Sequence, residues 1–353
     1  MMNKVQSSIR VTKKTSHELK ERFIDPIGIA VIGCGNIARA HLNALMQLSY
    51  FKLIATVDIY AEKAKEYAEE YNAEKFYTSY VDALEDPDVE AVSICLPHSL
   101  HAQVAVEAAK REKHVLTEKP MAISLGDAVK MVSIAERKGV TLMVEQTLRF
   151  RECNAQVRKI IMDGVIGKPC HVIRRRLGYS KSAQVTWANK PNIAGGWVLY
   201  GFGSHEVDIA LWHLGGRAWK VYAQGSINNS YWNDYDEVSV HMELKDGVIV
   251  TVHMSLNCLQ HCWDSIIIGT KGSIMVREAI DVTVNKKVIS TPLKPSEGIM
   301  AALKEFASAI REEREPEASG RDVLKTMWAL EAAKISLREG EVITEKDLPY
   351  PSI

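Results

Sequence analysis

The sequence lacks a long apolar run, a cysteine framework and an excess of charge of either sign. No stretch of its 353 residues approaches the roughly 20 apolar residues of a membrane span, and residues 1–25 lack the apolar centre of a signal peptide. Six scattered cysteines indicate reduced thiols, and 44 basic residues balance 44 acidic ones. We therefore expect a cytoplasmic protein that binds neither nucleic acid nor a membrane.

No metal centre is expected either. Cys258, His261 and Cys262 stand close together in the sequence, but a structural zinc site needs a second pair of ligands elsewhere in the chain, and no such pair is evident. Idle or buried thiols explain these residues better.

Short apolar runs alternate with helical stretches over the first part of the chain. Buried strands of this kind, each followed by a helix, belong to a parallel sheet covered on both faces. We therefore predict an α/β protein whose residues 27–147 form a doubly wound Rossmann domain. Residues 1–26 are predicted to be a mobile tail or an arm that folds on a neighbouring subunit. The predicted strands are 27–32, 53–57, 91–96, 114–117 and 141–144, and the clearest predicted helices are 61–71, 103–110 and 124–138.

Longer β-rich runs dominate the rest of the chain. Asp246-Gly247 joins two of them and is a strong hairpin signal, so residues 148–353 are predicted to form a second α/β domain with a large, mainly antiparallel open sheet. Its alternating strands leave an apolar face that we expect to be buried between subunits of a homodimer or homotetramer. The two terminal helices, at 299–313 and 322–339, could pack back on the Rossmann domain.

A glycine loop at residues 33–38 follows the first predicted strand. Gly33 permits the tight turn, and Gly35 lets the backbone approach a pyrophosphate. The helix that begins at Asn36 and Ile37 would direct its N-terminal N–H groups at the phosphate charge. The loop therefore predicts a dinucleotide site.

Asp58 ends the next predicted strand and indicates which dinucleotide binds. Its carboxylate would accept hydrogen bonds from the adenosine ribose hydroxyls and repel a 2′-phosphate, and neither Ile59 nor Tyr60 offers a cation to neutralise one. NAD is therefore favoured over NADP. The alternative for Asp58 is a solvated carboxylate at a strand end.

Lys119 lies at the end of a later strand of the same predicted sheet, in the run Glu118-Lys119-Pro120. From there its ammonium can reach both the nicotinamide and a hydroxyl beside it, and a partly dry site would favour its neutral form. This combination predicts hydride transfer. The alternative is a surface lysine at a strand end.

Several segments form a pattern in which both the order and the spacing matter. They are residues 33–38, 96–101, Glu118-Lys119-Pro120, Arg149-Phe150, Gly195-Gly196 and 203–208. In this pattern the chain resembles, from residue 27 onward, the glucose-fructose oxidoreductase, inositol dehydrogenase and rhizopine catabolism (Gfo/Idh/MocA) family.

The resemblance implies an NAD(P)-dependent oxidoreductase that transfers hydride between the cofactor and a hydroxyl-bearing carbon of a sugar or cyclitol. It implies that Lys119 contacts the nicotinamide ribose and the reacting hydroxyl, and that His205 accepts the hydroxyl proton. Further cofactor contacts are expected from Leu96, Pro97, His101, Glu118 and Gln146, and a substrate contact from Arg149.

The residues around the predicted site also suit a carbohydrate. Trp187 and Tyr200 belong to a stretch that mixes flat apolar faces with hydrogen-bonding groups, as a sugar does, and Asp208 would bind a substrate hydroxyl. The alternatives are packing at a domain interface for the tryptophans and helix capping for Asp208.

One position departs from the family pattern. Family members commonly have an aspartate four residues before the histidine, and here Gly201 stands there. Tyr200 or a substrate group would then orient the imidazole, or the catalytic arrangement differs. Two alternatives therefore stay open beside the dehydrogenase: a redox-neutral, NAD-using lyase or glycosidase acting on a glycoside, and a non-catalytic NAD-binding regulator.

Overall fold

The computed structural model describes residues 25–183, 185–278, 280–290 and 297–353. The predicted tail or arm at 1–26 falls almost wholly outside the described residues. Within these ranges, no helix combines the length and apolar character that crossing a bilayer requires.

The first sheet has six strands, all parallel. The strands are β1 Ile27–Ile32, β2 Phe51–Val57, β3 Lys75–Tyr77, β4 Ala91–Ile94, β5 His114–Thr117 and β6 Leu142–Val144. The strand order is β3-β2-β1-β4-β5-β6. The chain therefore adds strands on one side of β1 up to β3 and on the other side from β4 onward. This confirms the predicted doubly wound sheet, and it places a ligand crevice at the carboxyl ends of β1 and β4.

Five helices connect these strands: α1 Asn36–Leu45, α2 Ala61–Tyr71, α3 Tyr80–Glu85, α4 His101–Lys110 and α5 Leu125–Lys138. α5 illustrates how the sequence sets their ends. The Ser124 hydroxyl accepts a hydrogen bond from Asp127 N at 3.1 Å, and Gly139 ends the helix in the left-handed conformation. Its buried residues recur at helical spacing and pack on the sheet: Leu125, Ala128, Met131, Val132 and Ala135.

Over the described residues, the second sheet has nine strands and is mixed but mainly antiparallel, as predicted. A parallel pair joins β7 to β10, and the other pairs of these described strands are antiparallel. The order is β14-β13-β12-β11-β7-β10-β9-β8-β15. The strands are β7 Pro169–Tyr179, β8 Ala218–Ser226, β9 Glu237–Leu244, β10 Ile249–Ser255, β11 Asn257–Gly269, β12 Ser273–Arg277, β13 Asp281–Val284, β14 Lys287–Ser290 and β15 Ile343–Thr344.

The other α-helices of the described residues all follow β6 in the chain. They are α6 Glu152–Met162, α7 Pro191–Ala194, α8 Gly203–Leu214, α9 Glu297–Arg311 and α10 Gly320–Glu339. α8 and α10 pack against each other and against strands of the second sheet. The segment between β6 and α6 contains residues 147 and 148, where the sequence predicts the domain boundary.

Helices cover the apolar face of the second sheet. The sequence-based expectation that this face is left for a neighbouring subunit is therefore wrong. Along β9, Val238, Val240 and Met242 are buried on the helix side, whereas Ser239 and His241 face the other way. The face left uncovered is therefore a mixture of polar and apolar side chains rather than an apolar face. Assembly into a homo-oligomer stays a prediction, but it no longer follows from an unburied apolar surface.

α9 packs on the Rossmann sheet rather than on the second sheet. Phe306 stacks on Phe51 with ring centroids 6.3 Å apart, and α9 contacts α1. Beyond α9, Ala318 O accepts a hydrogen bond from Val144 N, so the chain continues along the edge of β6. The last part of the chain thus ties the two sheets together next to the carboxyl ends of the Rossmann strands.

Candidate active site

The glycine loop has the geometry of a phosphate cradle. Gly33 has φ +98°, and a Cβ there would lie 2.4 Å from Cys95 O, so no other residue fits without a backbone shift. A Cβ on Gly35 would meet nothing within 4 Å, because this part of the loop faces open space. α1 begins without a side-chain cap, and Asn36 and Ile37 in its first turn are exposed. Its first N–H groups are therefore available to an anion, and these residues fit a dinucleotide pyrophosphate.

Asp58 follows β2 and is fixed beside the loop. Its Oδ2 accepts from Cys34 N at 3.0 Å and its Oδ1 from Tyr60 N at 3.1 Å. The carboxylate is therefore held where a ribose bound at the loop would meet it. Lys63, in the first turn of α2, lies 3.8 Å from Asp58 Oδ2. Lys63 is a cation that the prediction from Ile59 and Tyr60 left out. Its charge would lessen the repulsion between Asp58 and the 2′-phosphate of NADP.

Four further expected cofactor residues lie just after β4, β5 and β6. Leu96 and Pro97 are half-buried directly after β4, at the crevice. Glu118, after β5, is buried; its Oε1 lies 3.1 Å from His41 Nε2, and its Oε2 accepts from Lys119 N. Gln146, after β6, donates from Nε2 to Ser204 O at 3.0 Å.

His101 is fully buried and joins two loops. Its Nδ1 lies 2.7 Å from Pro120 O and its Nε2 lies 2.8 Å from Leu96 O. Burial lowers the pKa of this imidazole, so the ring is neutral and donates to one carbonyl at a time. Both nitrogens are thus directed at the backbone, and we propose that His101 positions the loops after β4 and β5 in place of the expected direct contact with cofactor.

Lys119 follows β5 of the first sheet, whereas His205 lies in α8, and a hydrogen bond joins the two segments. Lys119 Nζ donates to Gly201 O at 3.1 Å, across 82 residues of sequence. Gly201 lies one helical turn before His205, which is in the first turn of α8. The Nδ1 of His205 is buried and has no hydrogen-bond partner within the described ranges.

Burial and neighbouring cations lower the pKa of both groups. Burial is the main cause for Lys119, and Arg176 adds to it. Burial is also the main cause for His205, where Lys119 and Arg176 contribute further and hold the pKa well below its usual range. At neutral pH the imidazole is therefore uncharged and can accept a proton, and the ammonium is easier to deprotonate than an exposed one.

The segment before α8 offers no carboxylate at the position of the family aspartate. Residues Trp197–Phe202 form a π-helix, and the Trp197 ring lies 3.2 Å from the position that a Cβ on Gly201 would take. The Gly201 carbonyl accepts from Lys119 and does not orient the imidazole of His205. Trp197 also stacks on His98, with centroids 5.8 Å apart and the planes within 6°. Trp187 packs edge-on against both rings and closes this aromatic cluster.

Arg149 and Asp208 are buried in a network of their own. Arg149 donates from Nε and Nη2 to the two carboxylate oxygens of Asp208, and from Nη1 to Asp322 Oδ2 and Glu317 O. Asp208 Oδ1 also accepts from Thr326 Oγ1. All three nitrogens of the guanidinium are occupied within the protein. We therefore propose that this pair holds α8 to α10, in place of the expected contacts with substrate.

Tyr200 also lies away from the imidazole. Its ring is fully buried, and its hydroxyl donates to Glu331 Oε2 at 3.1 Å. Burial raises the pKa of this phenol well above its usual range, with Glu331 adding to the effect. A phenol that is held by a carboxylate on α10 is neither the imidazole's orienting partner nor a ready proton acceptor, so the structure does not favour the expected roles.

An arginine cluster on β7 completes the second-domain wall of the site, and the sequence argument missed it. Arg174 donates to Glu206 and Glu278, Arg176 donates to Glu206, and Arg151 reaches Glu278 from α6's N-cap. The available signal was the run of three consecutive arginines at 174–176, within a β-rich part of the sequence. Strand alternation directs the first and third of these to the same face.

Comparison with known proteins agrees with this architecture. Residues 27–146 match the model of the oxidoreductase family with an NAD-binding Rossmann fold, and residues 154–275 match the GFO/IDH/MocA C-terminal domain. The chain belongs to the Gfo/Idh/MocA family. This confirms the resemblance seen in the sequence.

Individual relatives are distant but cover nearly the whole chain. The chain is 26% identical to myo-inositol 2-dehydrogenase of Thermotoga maritima, over 88% of this chain and 96% of that protein. It is 27% identical to the NAD⁺-dependent scyllo-inositol 2-dehydrogenase of Bacillus subtilis, over 88% and 94%. Among solved structures, levoglucosan dehydrogenase in complex with NADH superposes with a TM-score of 0.85 at 21% identity, over 93% of this chain and 100% of that one. The chain is thus an oxidoreductase of a family whose domain binds a nicotinamide cofactor.

Proposed function

We propose that this protein is an NAD-dependent dehydrogenase that oxidises a hydroxyl-bearing carbon of a sugar or cyclitol. The observation that carries the proposal is the hydrogen bond from Lys119, at the end of β5, to the carbonyl of Gly201, four residues before His205. The names of relatives support the substrate class. Two are inositol 2-dehydrogenases, and a structure of similar fold is levoglucosan dehydrogenase in complex with NADH and levoglucosan.

The residues that would hold the cofactor are those of the crevice. The α1 N-terminus and Gly35 would receive the pyrophosphate, and Asp58 would accept from the adenosine ribose. Leu96 and Pro97 would line the nicotinamide side. When bound, the nicotinamide supplies the acceptor for the hydride.

His205 and Lys119 would handle the proton that leaves the substrate hydroxyl. His205 is neutral at physiological pH because burial and the surrounding cations disfavour its charged form, so it is in the state that accepts a proton. Lys119 would donate a hydrogen bond to the reacting oxygen and relay the proton, since its pKa is lowered by burial. The Trp187 and Trp197 rings offer flat apolar faces that suit the C–H face of a sugar ring.

A panel of sugars, inositols and glycosides, followed for both reduced nicotinamide and product, tests the proposal. We expect net reduction of NAD with at least one free sugar or inositol. Product without net reduction would instead support the redox-neutral lyase or glycosidase, and binding of NAD without any turnover would support the regulator. A panel of the same sugars with NADP tests the cofactor in parallel.

A further inference from the structure

The arginine cluster on the second-domain wall has more positive than negative charge. Three guanidiniums, Arg151, Arg174 and Arg176, face two buried carboxylates, Glu206 and Glu278. Arg174 already pairs with both glutamates, and Arg151 adds a second partner to Glu278. One positive charge is therefore left without a carboxylate of its own, in a site that is mostly shielded from water.

Arg176 is the most exposed of the three arginines. Its side chain is 28% exposed, whereas those of Arg174 and Arg151 are 0% and 11% exposed. It is also bound to the elements that carry the proposed proton-handling group. Its Cζ lies 4.2 Å from the ring centroid of Phe202, the residue after Gly201, and its Nη1 donates to Glu206, the residue after His205.

The hydrogen-bonding capacity of Arg176 is largely unused. Across the described ranges, its side chain makes one hydrogen bond, from Nη1 to Glu206 Oε1 at 3.0 Å. Nε and Nη2 are left, and these form one edge of the planar guanidinium, whose two N–H donors match two oxygens of an oxyanion. The Trp263 ring, 4.8 Å from Cζ, and the Phe202 ring help to hold the guanidinium in place.

We propose that Arg176 binds a carboxylate of the substrate, so that the preferred substrate is an acidic sugar or cyclitol such as a uronate. The inference rests on the proposed function and adds to it the charge of the substrate. A carboxylate carries one negative charge and balances the single excess charge of the cluster. A phosphate monoester, with a charge of about −1.5 to −2 at pH 7, would overcompensate it.

Binding to the enzyme–NADH complex, measured by calorimetry at constant ionic strength, tests the proposal. The probes are D-glucuronate against D-glucose and D-galacturonate against D-galactose, with glucose 6-phosphate as the phosphate arm. We expect at least one uronate to bind about 10- to 100-fold more tightly than its neutral counterpart, as a charged hydrogen-bonded pair provides.

Two variants and one control assign the effect to this side chain. Arg176→Gln should remove the preference for the uronate and leave the affinity for the neutral sugar within about threefold, and Arg176→Lys should keep part of the preference because it keeps the charge but not the planar edge. Arg175→Gln is the matched control. Arg175 directly precedes Arg176 on β7, pairs with Asp264 and is 42% exposed. Its loss should therefore leave the preference for the uronate intact.

Equal binding of uronates and neutral sugars, tighter binding of the phosphate, or an equal loss for both sugars in Arg176→Gln would overturn the proposal. Thermal unfolding of each variant shows whether a loss reflects the fold. Because binding is measured without turnover, a failure here is distinct from a failure of the dehydrogenase proposal. Acid preference without net NAD reduction would contradict only the proposed function, and turnover of neutral sugars without acid preference would contradict only this inference.

Discussion

Two ion-pair networks meet α8 from different sides, and they differ in how fully their arginines are used. Asp208 and Glu206 are two residues apart, which places them about 200° apart around the helix. Asp208 binds Arg149, whose three nitrogens all have protein partners, whereas Glu206 binds Arg174 and Arg176 in a cluster with one excess positive charge. The comparison indicates two roles for arginine in this protein. An arginine with guanidinium nitrogens that have no protein partner can bind a ligand, whereas one whose three nitrogens all have protein partners stabilises the fold.

The largest effect is expected at Lys119 and His205, the two residues that we propose handle the substrate proton. Lys119→Ala and His205→Ala should each lower the turnover number by roughly 10²- to 10⁴-fold, the usual contribution of a positioned acid or base. His205→Ala should leave the Kd for NAD nearly unchanged, whereas Lys119→Ala should weaken it, because Lys119 also lies at the cofactor crevice. Steady-state kinetics and cofactor titration measure both. Near wild-type turnover in His205→Ala would show that the proton leaves by another route.

Arg149→Ala should act on stability instead. Removal of the guanidinium leaves the Asp208 carboxylate buried without a cation, at a cost of about 3–5 kcal/mol in the free energy of unfolding. Urea unfolding of the variant and of the wild type measures the difference. The matched comparison is Arg176→Gln, which leaves Glu206 paired with Arg174 and should be clearly less destabilising. The reverse order would break the distinction between the two networks.

Asp58→Ala should change the choice of cofactor by a smaller amount. Loss of hydrogen bonds to a charged acceptor should weaken NAD binding by about 1.5–3 kcal/mol. NADP binding should weaken less or improve, since Lys63 is then left without Asp58 beside a 2′-phosphate. Calorimetry with both cofactors checks this, and Lys63→Gln in the same background should remove any gain for NADP. Equal losses for the two cofactors would show that Asp58 does not discriminate between them.

Glu145 is the opposite case to the paired carboxylates Asp208 and Glu206, because it is a buried carboxyl to which no arginine is hydrogen-bonded within the described residues. Neither of its oxygens has a hydrogen bond within the described ranges, and burial raises its pKa from 4.5 to about 8. The folded state therefore holds a proton that the unfolded state has lost between these two values. As the pH rises through this window the wild type should lose about 1.4 kcal/mol of stability per pH unit relative to Glu145→Gln.

Urea unfolding at several pH values across this window, for the wild type and Glu145→Gln, measures that slope. Below the ordinary pKa of 4.5 the carboxyl is protonated in both states, so the difference between the two proteins should no longer change with pH. Parallel pH profiles throughout the window would mean that Glu145 is ionised in the folded protein.

Periodicity predicted the regular parts of the fold because they depend on neighbours in sequence. The helix Ala61–Tyr71 and the strand His114–Thr117 were predicted at the residues where they are found. β3, with three residues, is too short to show a pattern. The parallel pairing of β7 with β10 joins segments that are far apart in the chain, so neither segment alone could indicate it.

The site was predicted where a motif has a local physical cause and missed where a role depends on distant partners. Gly33 and Gly35 could be assigned from the turn and the phosphate they allow. Arg149 was expected to bind substrate, but its partners Asp208, Glu317 and Asp322 lie far away in the sequence and together engage all three of its nitrogens. Arg176 was overlooked for the same reason, since the groups it contacts, Phe202 and Glu206, belong to other elements of the chain.

The most direct test of the central claim is a single turnover with a substrate that the panel identifies, deuterated at the carbinol carbon. The enzyme–NAD complex is mixed with this substrate, and the absorbance of reduced nicotinamide is followed. We predict that reduced nicotinamide forms, that deuterium slows its formation, and that the label is recovered in the cofactor. Product that forms with no reduced nicotinamide at any time and no label in the cofactor would contradict hydride transfer by this protein.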